Sequence, residues 1–301
     1  MASKRPLVIA HRGASGYLPE HTLAGKAMAH AMGADFLEQD VVATRDGALI
    51  VFHDLHLDDL TDVALRFPGR ARADGRHYCI DFDLAEIRQL ALSERRRAGG
   101  DQPRYPGRFP AAAGSFTIPT LEEEIRFIQG LNRSTGRHAG IYPEIKSPAW
   151  HHEHGIDLAA LMLGVLGRHG YVAAGDAAIV QCFDSDELRR VRNELGCGLR
   201  LVQLLEGDLP LAPDLEAIRR YAEGIGPSLH QTVGTGLIAA AHRAGLQVHP
   251  YTLRLDALPE GCAGFGALMD ALCRGDAVDG LFTDFPDRVV QYLNQHFAGL
   301  S

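Results

Sequence analysis

Glu38 and Asp40, two apart in FLEQDVVA, are a natural place to look for chemistry in this sequence. Side chains alternate between the faces of a β-strand, so these two carboxylates share one face while Leu37, Gln39 and Val41 take the other. If the shared face looks into a closed interior, two negative charges in one small volume are strongly disfavoured unless a cation lies between them. A structural ion pair with Arg or Lys would satisfy that need as well as a metal would. Glu144 and Lys146 repeat the spacing in YPEIK and add a third carboxylate and a cation. Three acidic ligands, with no cysteine and no obligatory histidine, suit one hard divalent cation, calcium or magnesium, far better than zinc.

His11 and Arg12 directly follow the apolar run LVIA, and His53 follows a second run in VFHD. A lone histidine at a strand end is more often structural than chemical. Two of them beside an acidic cluster, Arg12 and Lys146 make a different set. Cations neutralise the non-bridging oxygens of a phosphodiester, and two imidazoles titrating near neutrality can act as general base and general acid. Gln181, His249, Tyr251 and Asp284 complete the polar residues at strand ends, and Gln181, Phe183 and Tyr251 are expected to wall the pocket. Gly13 and Gly16 would let the backbone pass close to a ligand, Thr22 would cap the next helix, and Glu20 would support the site from behind. Other features read as inert. His151 to His154 lack the HExxH spacing, Met28 and Met32 read as core, and Arg95 to Arg97 read as a solvated face.

The elements that must position these residues are legible as alternation. The apolar runs Leu7–Ala10, Phe36–Ala43, Gly140–Tyr142, Ala178–Phe183, Leu199–Leu205, Gly224–Gly226, Leu246–Tyr251 and Gly280–Thr283 predict strands. Each is followed by an amphipathic stretch, beginning at Leu23, Leu121, Leu158, Asp186, Leu215, Leu237, Phe265 and Asp287. Eight such units predict an α/β chain forming a (β/α)₈ barrel, with a doubly wound sheet as the alternative. The Asp-Gly of TRDG predicts a hairpin to an extra strand within Gly47–Asp54. The Arg-, Asp-, Gly- and Pro-rich span from about 55 to 119 reads as a surface insertion in a single domain covering 1–301. Its aromatics Phe67, Tyr78, Tyr105 and Phe109 are expected to cap the site.

Composition narrows the function. With 46% hydrophobic and 23% charged residues the chain reads as globular, and a net charge of −8 without a long basic run argues against nucleic acid. Five cysteines without a CxxC pair predict reduced thiols. No run approaches the roughly 18 apolar residues of a membrane helix, so no stable membrane insertion is expected. The N-terminus leaves no room for a signal peptide, which predicts a cytoplasmic protein, or a periplasmic one if an export signal was removed.

HRGASGYLPEHT, FLEQDVVATRDGALIVFHD, YPEIK, VQCFD, VHPYT and GLFTDFPD together resemble the glycerophosphodiester phosphodiesterases, in order and across Ile9 to about Asp287. PEHT, with RFPGRARADGRHY, YPGRFP and GLNRSTGR, is similar to the larger bacterial subgroup that includes the periplasmic enzyme of glycerol phosphate uptake. The resemblance implies a barrel with an inserted subdomain that hydrolyses small glycerophosphodiesters, such as glycerophosphocholine or glycerophosphoethanolamine, to sn-glycerol 3-phosphate and an alcohol, in glycerol and phospholipid catabolism. It implies His11 and His53 as the catalytic pair, Glu38, Asp40 and Glu144 as metal ligands, and Arg12 and Lys146 on the phosphate. The implied ion is calcium, with magnesium the runner-up, and a homodimer stays open. A membrane-directed phospholipase D, a non-enzymatic binding protein and a sugar- or enolate-directed barrel are the rival readings.

Overall fold

The structure, a computed structural model, describes residues 5–97, 100–110, 114, 116–207, 213–275 and 277–297. The apolar runs become strands β1 (Leu7–Ala10), β2 (Phe36–Ala43), β3 (Leu49–Val51), β4 (Gly140–Ile145), β5 (Ile179–Cys182), β6 (Arg200–Leu204), β7 (Gly224–Gly226), β8 (Gln247–Val248) and β9 (Gly280–Thr283). They form one sheet in the order β8-β7-β6-β5-β4-β2-β1-β9, with β3 attached to β2 alone. All pairings are parallel except β2 with β3. The sheet curls until its edges meet: the Phe282 amide donates to the Pro250 carbonyl at 3.0 Å and the Leu253 amide to the Phe282 carbonyl at 2.9 Å. The result is the (β/α)₈ barrel, all but closed. β8 is shorter than the run Leu246–Tyr251: past Val248 the His249 and Tyr251 amides still bond the Ile225 and Pro227 carbonyls, but Pro250 between them has no N–H to give.

Helices α1 (Leu23–Ala31), α2 (Leu121–Thr135), α3 (Leu158–Arg168), α4 (Ser185–Asn193), α5 (Leu215–Arg219), α6 (Leu237–Arg243), α7 (Phe265–Cys273) and α8 (Pro286–His296) return the chain between strands or follow the last. The Thr22 hydroxyl accepts the Gly25 amide, so it caps α1, and Thr120 with Glu123 forms a capping box on α2. Alternation splits the strands. Val8, Ala10, Leu37, Val41, Ile141 and Val180 face the helices, while Ile9, Phe36, Tyr142, Ile179, Val202 and Phe282 fill the barrel interior. Among the described residues no helix is long and apolar enough to cross a membrane.

β3 follows the TRDG turn, where Gly47 takes φ +76°, and pairs antiparallel with Val41–Ala43. The inserted segment then leaves the barrel and returns beside β3, where Ile50 bridges Thr120. It is less superficial than its composition suggests. Leu57, Leu60, Val63, Phe82, Ile87, Leu90 and Leu92 are buried together with Val42, Ile50 and Phe52 of the barrel side. These apolar residues are widely spaced between charged ones, which hides a core that only tertiary contact assembles.

Candidate active site

Interior-facing positions lead to the site. Ile9, Phe36, Tyr142, Ile179 and Phe282 point inward, so His11, Glu38, Asp40, Glu144, Gln181 and Asp284, at even offsets further along, occupy the layers above them. Register does the rest: Asp40 lies opposite Glu144 and Glu144 opposite Gln181, which sets three polar side chains in one row across β2, β4 and β5. One cavity of about 190 Å³ is lined by His11, Arg12, Glu38, Asp40, His53, Glu144, Lys146, Gln181, Phe183 and Tyr251. Thr252, Arg254, Leu204 and Phe282 complete its wall. The expected proton-transfer pair, carboxylates, cations and pocket wall therefore border the same space, whereas His249 and Asp284 do not line it.

The three carboxylates offer oxygens within 4.8 Å of one another, and all three side chains are buried. Burial, followed by the Asp40 charge, pushes Glu38 well above the ordinary carboxylate range. Burial opposes the charge on Asp40 as well, but Lys146, His53 and Arg12 hold it well below its usual value. Lys146 donates to Glu144 at 2.7 Å and lies 3.7 Å from Asp40. The Gln181 amide donates to Glu38 at 3.0 Å, while its own carbonyl oxygen is buried without a partner. Three clustered carboxylates, one of them with its proton affinity raised by burial and its neighbours, and an orphaned amide oxygen beside them form a donor set that fits a hard cation. Acidic groups here could hold a metal ion.

Arg12 adopts the left-handed conformation, φ +58°, and its amide donates to Glu38 at 2.9 Å. Its guanidinium bonds Glu20 at 3.0 Å, and its Nε is buried without a hydrogen-bond acceptor, 3.3 Å from Asp40. An unmatched donor on a buried cation suits an incoming anion. His21, also at positive φ, meets the same Asp40 oxygen, Oδ2, from Nε2 at 2.7 Å.

Each histidine of the cavity has an aspartate behind it. His11 Nδ1 meets Asp284 at 2.6 Å while its Nε2 lies 3.9 Å from Glu38, and His53 Nδ1 meets the neighbouring Asp54. With Nδ1 engaged, Nε2 is the ring nitrogen left for a substrate. Burial, then Arg12, lowers His11 to about 3 and His53 to about 4, so both rings are neutral at neutral pH.

Three expectations are overturned and one is refined. Arg95 is no solvated face: it is 8% exposed and bonds both Glu20 and Asp54. Gly13 and Gly16 do not line the cavity. A Cβ on Gly13, at φ +91°, would press on the Gly25 backbone at 3.0 Å, and one on Gly16 would meet the Phe285 ring at 2.4 Å. Glu20 does stand behind the site, on Arg12 and Arg95. The insertion's aromatics do not line the cavity: Phe67 packs on Phe82, Tyr78 stacks with Trp150, Tyr105 lies under Arg108, and Phe109 meets Phe116. His249 is fully buried, bonded to Tyr142, and His151 Nδ1 meets the Ser147 carbonyl, so both are structural. Asp284 was visible as a polar residue at a strand end, and Asp54 could have been found as the neighbour of His53; Arg95 and Arg108 carry no local signal.

Comparisons with known proteins place the chain in a family. The model of the glycerophosphoryl diester phosphodiesterase family matches residues 11–288. A glycerophosphodiester phosphodiesterase of Haemophilus influenzae is 43% identical over 95% of this chain and 89% of its own, and one of Treponema pallidum is 36% identical over 98% and 93%. A crystal structure of a candidate glycerophosphoryl diester phosphodiesterase from Silicibacter pomeroyi superposes with a TM-score of 0.76 at 26% identity, covering 98% of this chain and 95% of that one. On the family match and these two relatives, the chain belongs to the glycerophosphoryl diester phosphodiesterase family.

Proposed function

We propose that the chain hydrolyses small, water-soluble glycerophosphodiesters to sn-glycerol 3-phosphate and the free alcohol, with His11 and His53 as the proton-transfer pair. One observation carries this reading: two imidazoles, His11 buried and His53 half-buried, each held at Nδ1 by an aspartate, flank a carboxylate trio and two cations around one cavity. Glu38, Asp40 and Glu144 would hold one divalent cation, calcium ahead of magnesium. Such an ion supplies Lewis-acid polarisation at the phosphoryl group.

The protein's own groups account for the remaining steps. Arg12 and Lys146 bind the non-bridging oxygens, and the bound anion in turn raises the affinity of a nearby imidazole for a proton. One neutral imidazole takes the proton of the attacking hydroxyl, which belongs to water or to the substrate's glycerol 2-position; attack by the latter gives a cyclic phosphodiester that a water molecule then opens to sn-glycerol 3-phosphate. The other, protonated, gives its proton to the alcohol oxygen as the phosphorus–oxygen bond breaks. Asp54 and Asp284 stabilise the imidazolium that one ring becomes and the other starts as, and hold the rings in the working tautomer. Gln181, Phe183 and Tyr251 wall the pocket, and Phe183 and Tyr251 meet edge to face at 5.8 Å.

The test is direct. His11→Ala and His53→Ala, each folded by circular dichroism, should each slow turnover of glycerophosphocholine by about 100- to 10,000-fold. Near-normal turnover in both would defeat the assignment.

A further inference from the structure

Two arginines of the inserted segment occupy equivalent places behind the two histidines. Arg95 donates from Nη1 to Asp54 Oδ2 at 2.7 Å, the oxygen that His53 does not use. Its Nε and Nη2 grip both oxygens of Glu20 at 3.0 and 2.7 Å, and Glu20 in turn holds Arg12. Arg108 donates from Nη2 to Asp284 Oδ2 at 2.6 Å, again the oxygen that its histidine leaves free. The rest of that guanidinium is fixed by Asp256 at 2.8 and 3.1 Å, by the Ser15 carbonyl at 3.2 Å, and by the Tyr105 ring whose centroid lies 3.7 Å away. The two arginine side chains are 9% and 5% exposed.

We infer that Arg95 and Arg108 are positioning residues of the reaction, which makes the inserted segment part of the active site. The inference rests on the reading of His11 and His53 as the proton-transfer pair. A carboxylate bonded at one oxygen to an imidazole can still rotate about its Cβ–Cγ bond and swing the ring with it. A guanidinium on the other oxygen removes that freedom, and a guanidinium can do so while its remaining donors stay anchored because its fork is planar and rigid. Arg254 gives Asp284 a second cation at 3.0 Å, so charge alone is not what Arg108 adds. What it adds is a tie between the His11 pair and the insertion, just as Arg95 ties the His53 pair and Arg12 to it. Misplacing a reacting group by about 1 Å is enough to slow a reaction by about 100-fold.

A purely docking role predicts something different, and a set of double variants separates the two. Arg95→Lys and Arg108→Lys keep the charge but lose the fork. Each is made in the full chain alone, with His53→Ala and with His11→Ala, and release of sn-glycerol 3-phosphate from glycerophosphocholine is measured. Positioning predicts a kcat lower by about 10- to 100-fold for each single variant. That kcat loss should vanish for Arg95→Lys once His53 is alanine, and for Arg108→Lys once His11 is alanine, yet persist in the crossed pairs. Any KM increase of Arg95→Lys, routed through Glu20 and Arg12, should survive in the His53→Ala background. Asp256→Asn, a gentler change at an exposed position that folds even if Arg108→Lys does not, should lower kcat a few-fold and do so only while His11 is present. Unchanged kcat in the arginine variants, or equal losses with and without the partner histidine, overturns the inference while leaving the histidine assignment intact. Near-normal turnover of His11→Ala and His53→Ala by themselves overturns the assignment, and the inference with it.

Discussion

Glu94 is a buried carboxyl that the proposed chemistry does not use, and its titration should be visible in the stability of the whole protein. It is 3% exposed, and its Oε2 has no hydrogen-bond partner. It faces Glu20 and Asp284, with Arg108 as the opposing cation and the Arg95 amide as a donor. Burial first and the Glu20 charge second raise it from 4.5 to about 7, against the pull of Arg108. Between pH 4.5 and 7 the folded protein therefore keeps a proton that the unfolded chain has lost. Folding takes that proton up, so stability falls as pH rises through this window and the loss is complete above the folded value. A displacement of this size corresponds to about 3 kcal/mol. Glu94→Gln keeps the shape of the protonated acid and cannot ionise. Urea midpoints should therefore nearly coincide for the two proteins at pH 4.5 and separate by up to about 3 kcal/mol at pH 8, with the glutamine variant the more stable. A separation that stays constant from pH 4.5 to 8, or a variant less stable than the parent at pH 8, would refute the reasoning.

Other consequences are equally accessible. Lys26 and Glu124 are both fully buried and 2.7 Å apart beneath β2, and Lys26 also donates to the Glu38 carbonyl; Glu124→Gln should cost about 3–5 kcal/mol in urea unfolding by stranding a charge, whereas the apolar pair Lys26→Met with Glu124→Leu should cost far less. Gly16→Ala should destabilise by about 1–3 kcal/mol in the same assay, because a Cβ there would overlap the Phe285 ring. Chelation should abolish release of sn-glycerol 3-phosphate, with calcium restoring more than magnesium; no recovery with either ion would end the metal assignment.

The barrel was legible because its signals are local. A period of two in the strands and of about 3.6 between them is written within a dozen residues, and the caps of α1 and α2 are readable from Thr22 and Thr120. The inner shell of the site was legible for the same reason. Once Glu38 and Asp40 share a face, a closed sheet leaves that face only the interior, and the i, i+2 repeat at Glu144 and Lys146 points there too. β8 is shorter than its apolar run because hydropathy does not register that Pro250 has no amide to give, although the His249 and Tyr251 amides do find partners. Gly13 and Gly16 were misjudged because a glycine reports that space is lacking, not what fills it.

What stayed hidden lies in pairings without sequence proximity. Arg95 reaches Glu20 across 75 positions and Arg108 reaches Asp284 across 176, and in sequence both look like members of any polar insertion. Composition favours exposure for an arginine in such a segment, and only burial against a carboxylate reverses it. The insertion's apolar residues, buried against Ile50 and Phe52, anchor it to the strand that leads into His53. That anchoring gives the arginines a fixed platform, since a guanidinium on a mobile loop could not hold an aspartate still. The core of the insertion and the geometry of the two histidines are therefore one problem in packing: loosening Leu57, Leu60 or Phe82 should disturb proton transfer before it unfolds the barrel, even though none of the three lines the cavity.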